Sequence, residues 1–448
     1  MELSNVLFLI KIISILTEKD CSVVEVFFYM INRFRIPLWL EKKYYNFRRN
    51  IFPYKSLDIL GPEHEFSIVD KELNILPISD KIIEAYCGKI VDFVNLPGVS
   101  FGKEASMHVL ELNAKTPFRS PERFEETMQS ALSTVLSFIN EKFDAHLLGG
   151  GMHPLLKLDQ TWIWPHSHQE INKEYQKIFD FNQHGWLNIQ SFQLNLASFR
   201  ENESVRLHNE LAHLAAYLPA IAASSPIFEG QLGPYVDNRL HFYKLGYREV
   251  PSIVGDIVPK YVSSFEQYKK EVIGGYSADL AEKGAAKELL DKEWMNSRGL
   301  MFRFCRSALE LRILDEQECI KSDVAFSCFI RAVLRGLLSK KCELVSHSIL
   351  VSDLNSIIQN GLNALVNHPN GKTARQVCLY FFKLAYENAT KSEKKYLWII
   401  KKRIEEGSIS ELIRGRVLNK AKTSSFKEAI LSVYSPLIKC LSENKPYF

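Results

Sequence analysis

The stretch GPEHEF, residues 61–66, is flanked by apolar residues on both sides and predicts a β-strand. Successive side chains of a strand point to opposite faces, so Glu63 and Glu65 share one face. The other face carries His64 and Phe66. Two carboxylates this close repel each other and resist ionisation unless a positive group lies between them. The stretch therefore predicts a bound cation or a buried cationic side chain.

Three further segments repeat this pattern when they are read with a period of two. They are MHVLELN (107–113), SFQLNLA (191–197) and ALELRIL (308–314). Each places a polar pair on one face and mainly apolar residues on the other; the pairs are Glu111 with Asn113, Gln193 with Asn195, and Glu310 with Arg312. An antiparallel sheet with one solvated face would also give such alternation.

The residue types favour a binding site over a simple solvated face. Glu is depleted in strands, yet three of these four strands contribute it, and the only cation among the paired residues is Arg312. Four carboxylates around one guanidinium require bound cations, and Mg²⁺ is the hard divalent ion that oxygen ligands favour. Because Mg²⁺ usually bridges to substrate phosphates, the pattern also implies a nucleotide.

The nucleotide would be held without a P-loop. The chain has no GxxxxGK[ST] motif and no dinucleotide-binding glycine fingerprint. Metals and arginines would then have to bind the phosphates, and Arg298, Arg303, Arg306 and Arg312 lie in one short segment. The glycine-rich LGGGMHP (148–154) is interpreted as a turn leading to His153, which would either contact substrate or cap the turn.

Composition restricts the class of protein. The 448 residues are 46% hydrophobic and 24% charged, with a formal net charge of +4, which gives no support to nucleic-acid or membrane binding. The eight cysteines form no CxxC pair, as expected of unpaired thiols in a reducing compartment. An apolar run at 6–16 lacks the flanks of a signal peptide. We expect a cytoplasmic protein.

Secondary-structure signals divide the chain into three parts. Residues 1–50 form an extension of unknown role, 51–335 a mixed catalytic body, and 336–448 a helical portion. A helix is predicted after the N-cap Ser120, another over 203–223, and strands at 186–197 and 308–314. The predicted fold class is α+β, an antiparallel sheet flanked by helices with an all-helical C-terminal portion.

An ordered set of motifs resembles a known family. In sequence order they are GPEHEF, ELN followed by TP, GMHP, HGWLNIQSFQLNL, SSPIFEG, YVDNRLHFY and NSRG…ELRILDEQEC. Over roughly residues 58–335 the chain resembles the type 2 glutamate–cysteine ligases, carboxylate–amine ligases related in fold to glutamine synthetase. The resemblance implies a funnel-shaped antiparallel sheet that holds ATP and Mg²⁺, with Mn²⁺ as an alternative ion.

The resemblance also implies roles for individual residues. Glu63, Glu65 and Glu310 match metal ligands, Glu111 matches the acid of the second strand, and Arg312 matches the arginine that faces the transferred phosphate. Gln193 stands where relatives usually have a metal-binding His, which puts one metal position in question. Asn195 and Arg303 join Arg312 as candidate nucleotide contacts. His153, Arg239 and Arg248 are candidate substrate contacts, with surface salt bridges as the alternative for the two arginines.

The predicted function is an ATP- and Mg²⁺-dependent ligation. The side-chain carboxylate of glutamate would be joined to an amine, with cysteine the default acceptor, through an acyl phosphate. One alternative keeps the ligation and changes the acceptor to another amino acid, a polyamine or a protein amine. A second alternative, which the Gln193 departure allows, is a non-catalytic nucleotide-binding protein on a ligase fold.

Overall fold

The computed structural model describes residues 55–340 and 344–448, so the predicted extension over 1–50 lies outside the described residues. Ten strands are present in this part of the chain. They are β1 (Leu60–Val69), β2 (Phe93–Leu96), β3 (Val99–Lys103), β4 (Val109–Ala114), β5 (His146–Leu148), β6 (Ser191–Ala197), β7 (Ile227–Phe228), β8 (Gln231–Leu232), β9 (Leu300–Arg303) and β10 (Ala308–Asp315).

Helices surround the strands and account for most of the chain after Asp315. The α-helices are α1 (Ser79–Cys87), α2 (Pro121–Phe143), α3 (Gln169–Gln176), α4 (His184–Leu187), α5 (Glu201–Ala215), α6 (Pro219–Ala222), α7 (Asn238–Leu245), α8 (Phe265–Tyr268), α9 (Gly274–Glu282), α10 (Ile320–Ser339), α11 (His347–Asn360), α12 (Ala374–Asn388), α13 (Lys391–Lys394), α14 (Leu397–Glu406), α15 (Ile409–Lys420) and α16 (Phe426–Glu443). Short 3₁₀ segments cover Leu158–Gln160, Pro251–Ile253, Lys287–Leu289, Glu293–Met295, Phe304–Arg306 and Gly361–Asn363, and a π-helical segment covers Lys269–Ile273.

The main sheet confirms the predicted antiparallel arrangement. Its strand order is β2-β3-β4-β1-β6-β10-β9, and every neighbouring pair is antiparallel. Strand β5 pairs with the last residues of β1, beyond the end of β6. The apolar residues of β1 lie in the protein core with those of the neighbouring strands. The sheet is thus apolar on one face, as the alternation predicts.

Helix α2 begins as the sequence indicates. The Ser120 side chain accepts a hydrogen bond from the backbone N–H of Arg123 at 3.2 Å, and Pro121 occupies the first helical position. The predicted stripe is buried, and the helix contacts β3, β4 and β5. The stripe consists of Phe124, Met128, Leu132, Val135 and Ile139.

Two predicted elements differ from the structure. The strand predicted over 186–197 is confirmed only from Ser191, because residues 184–187 form the short helix α4. The helix predicted over 203–223 is split into α5 and α6. Pro219 begins the second helix, because a proline has no N–H to donate to the preceding turn and is tolerated at a helix start.

The helical C-terminal portion is confirmed, and α10 connects it to the sheet. This helix is buried along most of its length, and it continues through the predicted boundary at 335–336. In the described part of the chain, no helix is long and apolar enough to cross a membrane. The residues that follow β10 are also tied to the C-terminal helices, because Glu318 and Arg403 form a fully buried ion pair at 2.7 Å.

Substituting Arg403 with Met should lower the free energy of unfolding by about 3–5 kcal/mol, because it leaves the Glu318 carboxylate buried without its partner. Chemical denaturation followed by circular dichroism would measure the change. Lys401→Met, at an exposed position of the same helix, is the matched control and should change stability little. Equal losses in the two variants would contradict the prediction.

Candidate active site

The strand register brings the predicted acids together on one face of the sheet. Glu65 lies directly opposite Glu111 on β4, and Glu63 lies directly opposite Gln193 on β6. Glu310 on β10 lies opposite Asn195. Directly opposed residues of an antiparallel pair point to the same face. The register of the strands therefore places the four carboxylates on one face of the sheet.

Arginines already hold the acids at one end of this face. Glu310 is in contact with Arg312, whose Nη1 lies 2.5 Å from Oε1, and with Arg303, whose Nη1 lies 3.1 Å from Oε2. Glu63 accepts hydrogen bonds from Arg306 at 2.8 Å and from the Asn195 amide at 3.1 Å. Arg312 is thus next to Glu310, on the face that the strand alternation predicts.

Neutral donors, rather than arginines, hold Glu65 at the other end. The carboxylate of Glu65 accepts from the Ser191 backbone N–H at 2.7 Å and from the Gln193 amide at 2.7 Å. The Gln193 amide also donates to the Ser191 hydroxyl. Gln193 thus turns its NH₂ group to Glu65, which leaves its amide oxygen as the atom that could coordinate a cation.

The pKa values of these four carboxyl groups depend on burial and on the charges beside each of them. Burial, together with the nearby Glu104 carboxylate, raises the pKa of Glu65 to about 8. Burial and the neighbouring carboxylates, Glu104 first, raise the pKa of Glu111 well above its usual range. Burial and Glu310 raise the pKa of Glu63. Although burial opposes ionisation, Arg312, Arg303 and Arg306 lower the pKa of Glu310.

Arg239 makes backbone contacts that the prediction of a substrate clamp did not include. A β-bulge interrupts the pairing of β10 with β6 between Leu311 and Leu314. The Arg239 Nη2 donates to the carbonyls of Arg312 and Ile313 within this bulge, and its Nε donates to Asp315 at 2.5 Å. These bonds use Nε and Nη2, so the fork formed by those two groups cannot bind a substrate carboxylate bidentately. Arg239 thus supports the backbone that carries Arg312.

Two other candidate substrate contacts are not brought to this face. The side chain of Arg248 is 61% exposed and donates to Glu249, which is the surface ion pair given above as its alternative. His153 is buried, and its Nδ1 accepts from the backbone N–H of Leu155, so it caps the turn. Burial lowers the pKa of His153 to about 3, so the ring is neutral.

A cavity adjoins the carboxylate face and adds residues that the sequence analysis did not select. Glu65, Arg239 and Arg312 line it, together with Glu104, Ser106, Trp186, Ser191, Tyr243 and Tyr247. Glu104 could have been found by strand parity, because it continues the alternation of Ser100 and Gly102, which lie opposite Asn113 and Glu111. The aromatic residues come from α4, from α7 and from the segment after α7, and no local signal marks them.

The donor set fits hard divalent cations. It consists of carboxylate and amide oxygens, which are the ligands that Mg²⁺ and Mn²⁺ accept. The side-chain oxygens of Asn113 and Asn195 are buried on this face without a hydrogen-bond donor among the described residues. Burial raises the pKa values of Glu65 and Glu111, and a bound cation would favour their ionised forms.

Comparison with known proteins agrees with this site. Residues 59–418 match the sequence profile of glutamate–cysteine ligase family 2. The chain belongs to that family. It is 42% identical over 389 residues to an uncharacterized protein of Archaeoglobus fulgidus, covering 87% of this chain and all of that one. Membership makes the protein an ATP-dependent carboxylate–amine ligase, as the sequence predicts.

Solved structures show that this family 2 chain shares the fold of other ligases. A glutamate–cysteine ligase of Francisella tularensis in complex with AMP superposes with a TM-score of 0.60 at 14% identity, covering 85% of this chain and 88% of that one. A bifunctional glutathione synthetase of Pasteurella multocida gives a TM-score of 0.54 at 15% identity, covering 87% of this chain and 53% of that one. The predicted fold class is therefore confirmed.

Stabilisation of this ligase by Mg²⁺ should be greater at about pH 8.5 than at about pH 6. The raised pKa of Glu65, about 8, means that the folded protein binds this proton more tightly than the unfolded chain does. That contribution to stability is present at low pH and is lost as the pH rises through about 8. Mg²⁺ competes with this proton for the Glu65 carboxylate, so it stabilises the folded protein most at a pH at which the proton is already lost.

The measurement is the melting temperature with and without Mg²⁺ at both pH values. Comparing the melting temperatures with and without Mg²⁺ at the same pH cancels the contributions of titratable groups that do not interact with the metal. The control is Glu65→Gln, which should reduce the pH dependence of the Mg²⁺ effect, with Glu111 supplying the part that remains. An equal Mg²⁺ shift at both pH values in the wild type would contradict the prediction.

Proposed function

We propose that the protein joins a glutamate-type side-chain carboxylate to an amine in an ATP- and Mg²⁺-dependent reaction. The observation that carries the proposal is the single face on which Glu63, Glu65, Glu111 and Glu310 converge beside Arg312. Carboxylates grouped in this way can contact a polyphosphate only through bridging cations, because both groups are negative. Arg312 would then be the side chain that binds the transferred phosphate.

The proposed roles follow the positions of the side chains. Glu63, Glu65, Glu111, Glu310 and the amide oxygen of Gln193 would hold Mg²⁺, which would neutralise the phosphate charge and polarise the transferred group. Asn195, Arg303 and Arg312 would contact the nucleotide. The adjoining cavity, lined by Trp186, Tyr243 and Tyr247, would hold the amino-acid substrate next to Arg312.

The chemistry consists of two transfers. An oxygen of the substrate carboxylate attacks the γ-phosphorus of ATP, the bond to the β-phosphate bridging oxygen breaks, and ADP leaves. The acceptor amine then attacks the acyl carbon of the acyl phosphate, and inorganic phosphate leaves as the amide forms and the amine loses a proton. Such transfers need positioning and charge stabilisation more than covalent participation by the protein, and this site supplies both.

Cysteine is the acceptor that the family name suggests, and other amines remain alternatives. The test is release of inorganic phosphate from ATP with Mg²⁺, with glutamate present and a panel of acceptors that covers cysteine, other amino acids and polyamines. Amide products are identified by mass spectrometry. Nucleotide binding without turnover for any acceptor would favour the non-catalytic alternative.

Arg312→Lys should reduce turnover by orders of magnitude, because an ammonium group cannot reproduce the planar fork that binds two oxygens of the transferred phosphate. The charge beside Glu310 is kept, so the melting temperature should change little. Steady-state phosphate release measures the effect. Arg306→Lys, at the exposed end of the arginine group, is the matched control and should lose much less. Near-normal turnover in Arg312→Lys would remove Arg312 from the mechanism.

Gln193→His should increase the apparent affinity for Mn²⁺ more than that for Mg²⁺, because imidazole suits the transition metal better than an amide oxygen does. Titration of ATP turnover with each metal, in wild type and variant, gives the two affinities. Unchanged affinity for both metals would show that Gln193 is not a ligand. Turnover found only in the variant would show that the natural protein has lost catalysis and binds nucleotide alone.

A further inference from the structure

On one of its two sides, strand β1 has no neighbouring strand at the position of Glu65. On one side it pairs with β4 without interruption from Glu63 to Ser67. On the other side it pairs with β6 as far as His64 and with β5 from Ser67 onward. The backbone N–H of Glu65 points into the gap between these two partners, so no strand can accept its hydrogen bond.

The carboxylate of Glu316 fills this gap. Its Oε2 accepts from the Glu65 backbone N–H at 3.0 Å. Glu316 follows β10, and its own backbone N–H donates to the carbonyl of Gln190, just before β6. The Glu65 side chain in turn accepts from the first N–H of β6, at Ser191. Two side-chain carboxylates thus replace the missing backbone partners at the gap.

Two glycines make room for this segment. A Cβ atom at residue 149 would lie 2.2 Å from the carbonyl oxygen of Gln317, and one at residue 151 would lie 2.3 Å from the carboxylate of Asp315. Neither position can carry a side chain while the residues after β10 pass so close. The glycine-rich LGGG (148–151) therefore has a role in packing against the segment that carries Glu316.

The buried imidazole of His64, on the apolar face of the sheet, contacts Glu316. His64 Nδ1 lies 3.3 Å from Glu316 Oε1 and 3.5 Å from Asp323 Oδ2, and all three side chains are fully buried. The His64 ring is surrounded by Phe66, Phe124 and Phe192, which exclude water. His64 thus contacts one carboxyl oxygen of Glu316 while the Glu65 N–H binds the other.

We propose that Glu316 is a positioning residue for the metal-binding face: it fixes the backbone of Glu65, and so the place at which the Glu65 carboxylate meets a cation. The inference rests on the proposed function, because it takes Glu65 to be a metal ligand. Residues that hold metal ligands in place typically change metal affinity by about 10- to 100-fold when they are substituted. Glu316 would act in this way without touching metal or substrate.

The test is the affinity of the purified full-length protein for Mn²⁺, measured by electron paramagnetic resonance of the free ion. Glu316→Asp keeps a carboxyl group beside His64 but is too short to reach the Glu65 N–H, and it should weaken Mn²⁺ binding by about 10-fold or more. Glu316→Gln keeps an oxygen that can accept this hydrogen bond and should restore most of the affinity. Asp323→Asn is the matched control, because Asp323 is equally buried beside His64 but does not contact Glu65.

Each outcome bears on a distinct claim. Wild-type affinity in a folded Glu316→Asp variant would overturn the positioning role, and so would an equal loss in Asp323→Asn. Hydrogen exchange of the 61–68 segment gives a second readout that requires no metal: it should be faster in Glu316→Asp than in Asp323→Asn, and equal rates would also overturn the proposal. Absence of Mn²⁺ binding in the wild type would instead overturn the proposed metal site.

Discussion

The feature on which the site depends is the crowding of negative charge on one face of an antiparallel sheet. The register fixes the acids opposite one another, so they cannot move apart without breaking the sheet. The charge is compensated in two ways. Arginines hold Glu310 and Glu63, whereas Glu65 accepts hydrogen bonds from neutral donors, and burial raises the pKa values of Glu63, Glu65 and Glu111. The arginine contacts to Glu310 lie at the β10 end of the face, and Glu65 and Glu111 lie opposite each other at the β1–β4 end.

The four residues after Leu314, Asp315 to Glu318, connect this face to the rest of the protein. All four side chains are buried, and each has a different partner. Asp315 binds Arg239 below the bulge, Glu316 binds His64, Gln317 donates to the carbonyl of Ala222, and Glu318 binds Arg403 in the C-terminal helices. Removing one member of such a pair leaves a buried charge unpaired, which is far more costly than losing a surface ion pair. The segment thus makes the geometry of the site depend on helices far from it in sequence.

The candidate site could be predicted in part because strand parity is a local property. Glu63, Glu65, Glu111 and Glu310 were assigned to one face from alternation alone, and even Glu104, which was missed, obeys the same rule. The structural contacts of Arg239 could not be predicted, for a different reason. Its bonds to the carbonyls of Arg312 and Ile313 exist only because β10 is bulged there, and nothing in the local sequence marks the bulge.

The sequence by itself determined the fold class, the polar and apolar faces of the four strands, the cap of α2 and the family, because these depend on short-range periodicity or on ordered motifs. Only the tertiary structure decided which charges compensate which. Glu316 reaches the N–H of Glu65 across 251 residues, and Arg239 reaches Asp315 across 76. Contacts between residues so far apart in sequence depend on where each strand ends and on which backbone groups are left without a hydrogen-bond partner. Both are defined only once the whole sheet has formed.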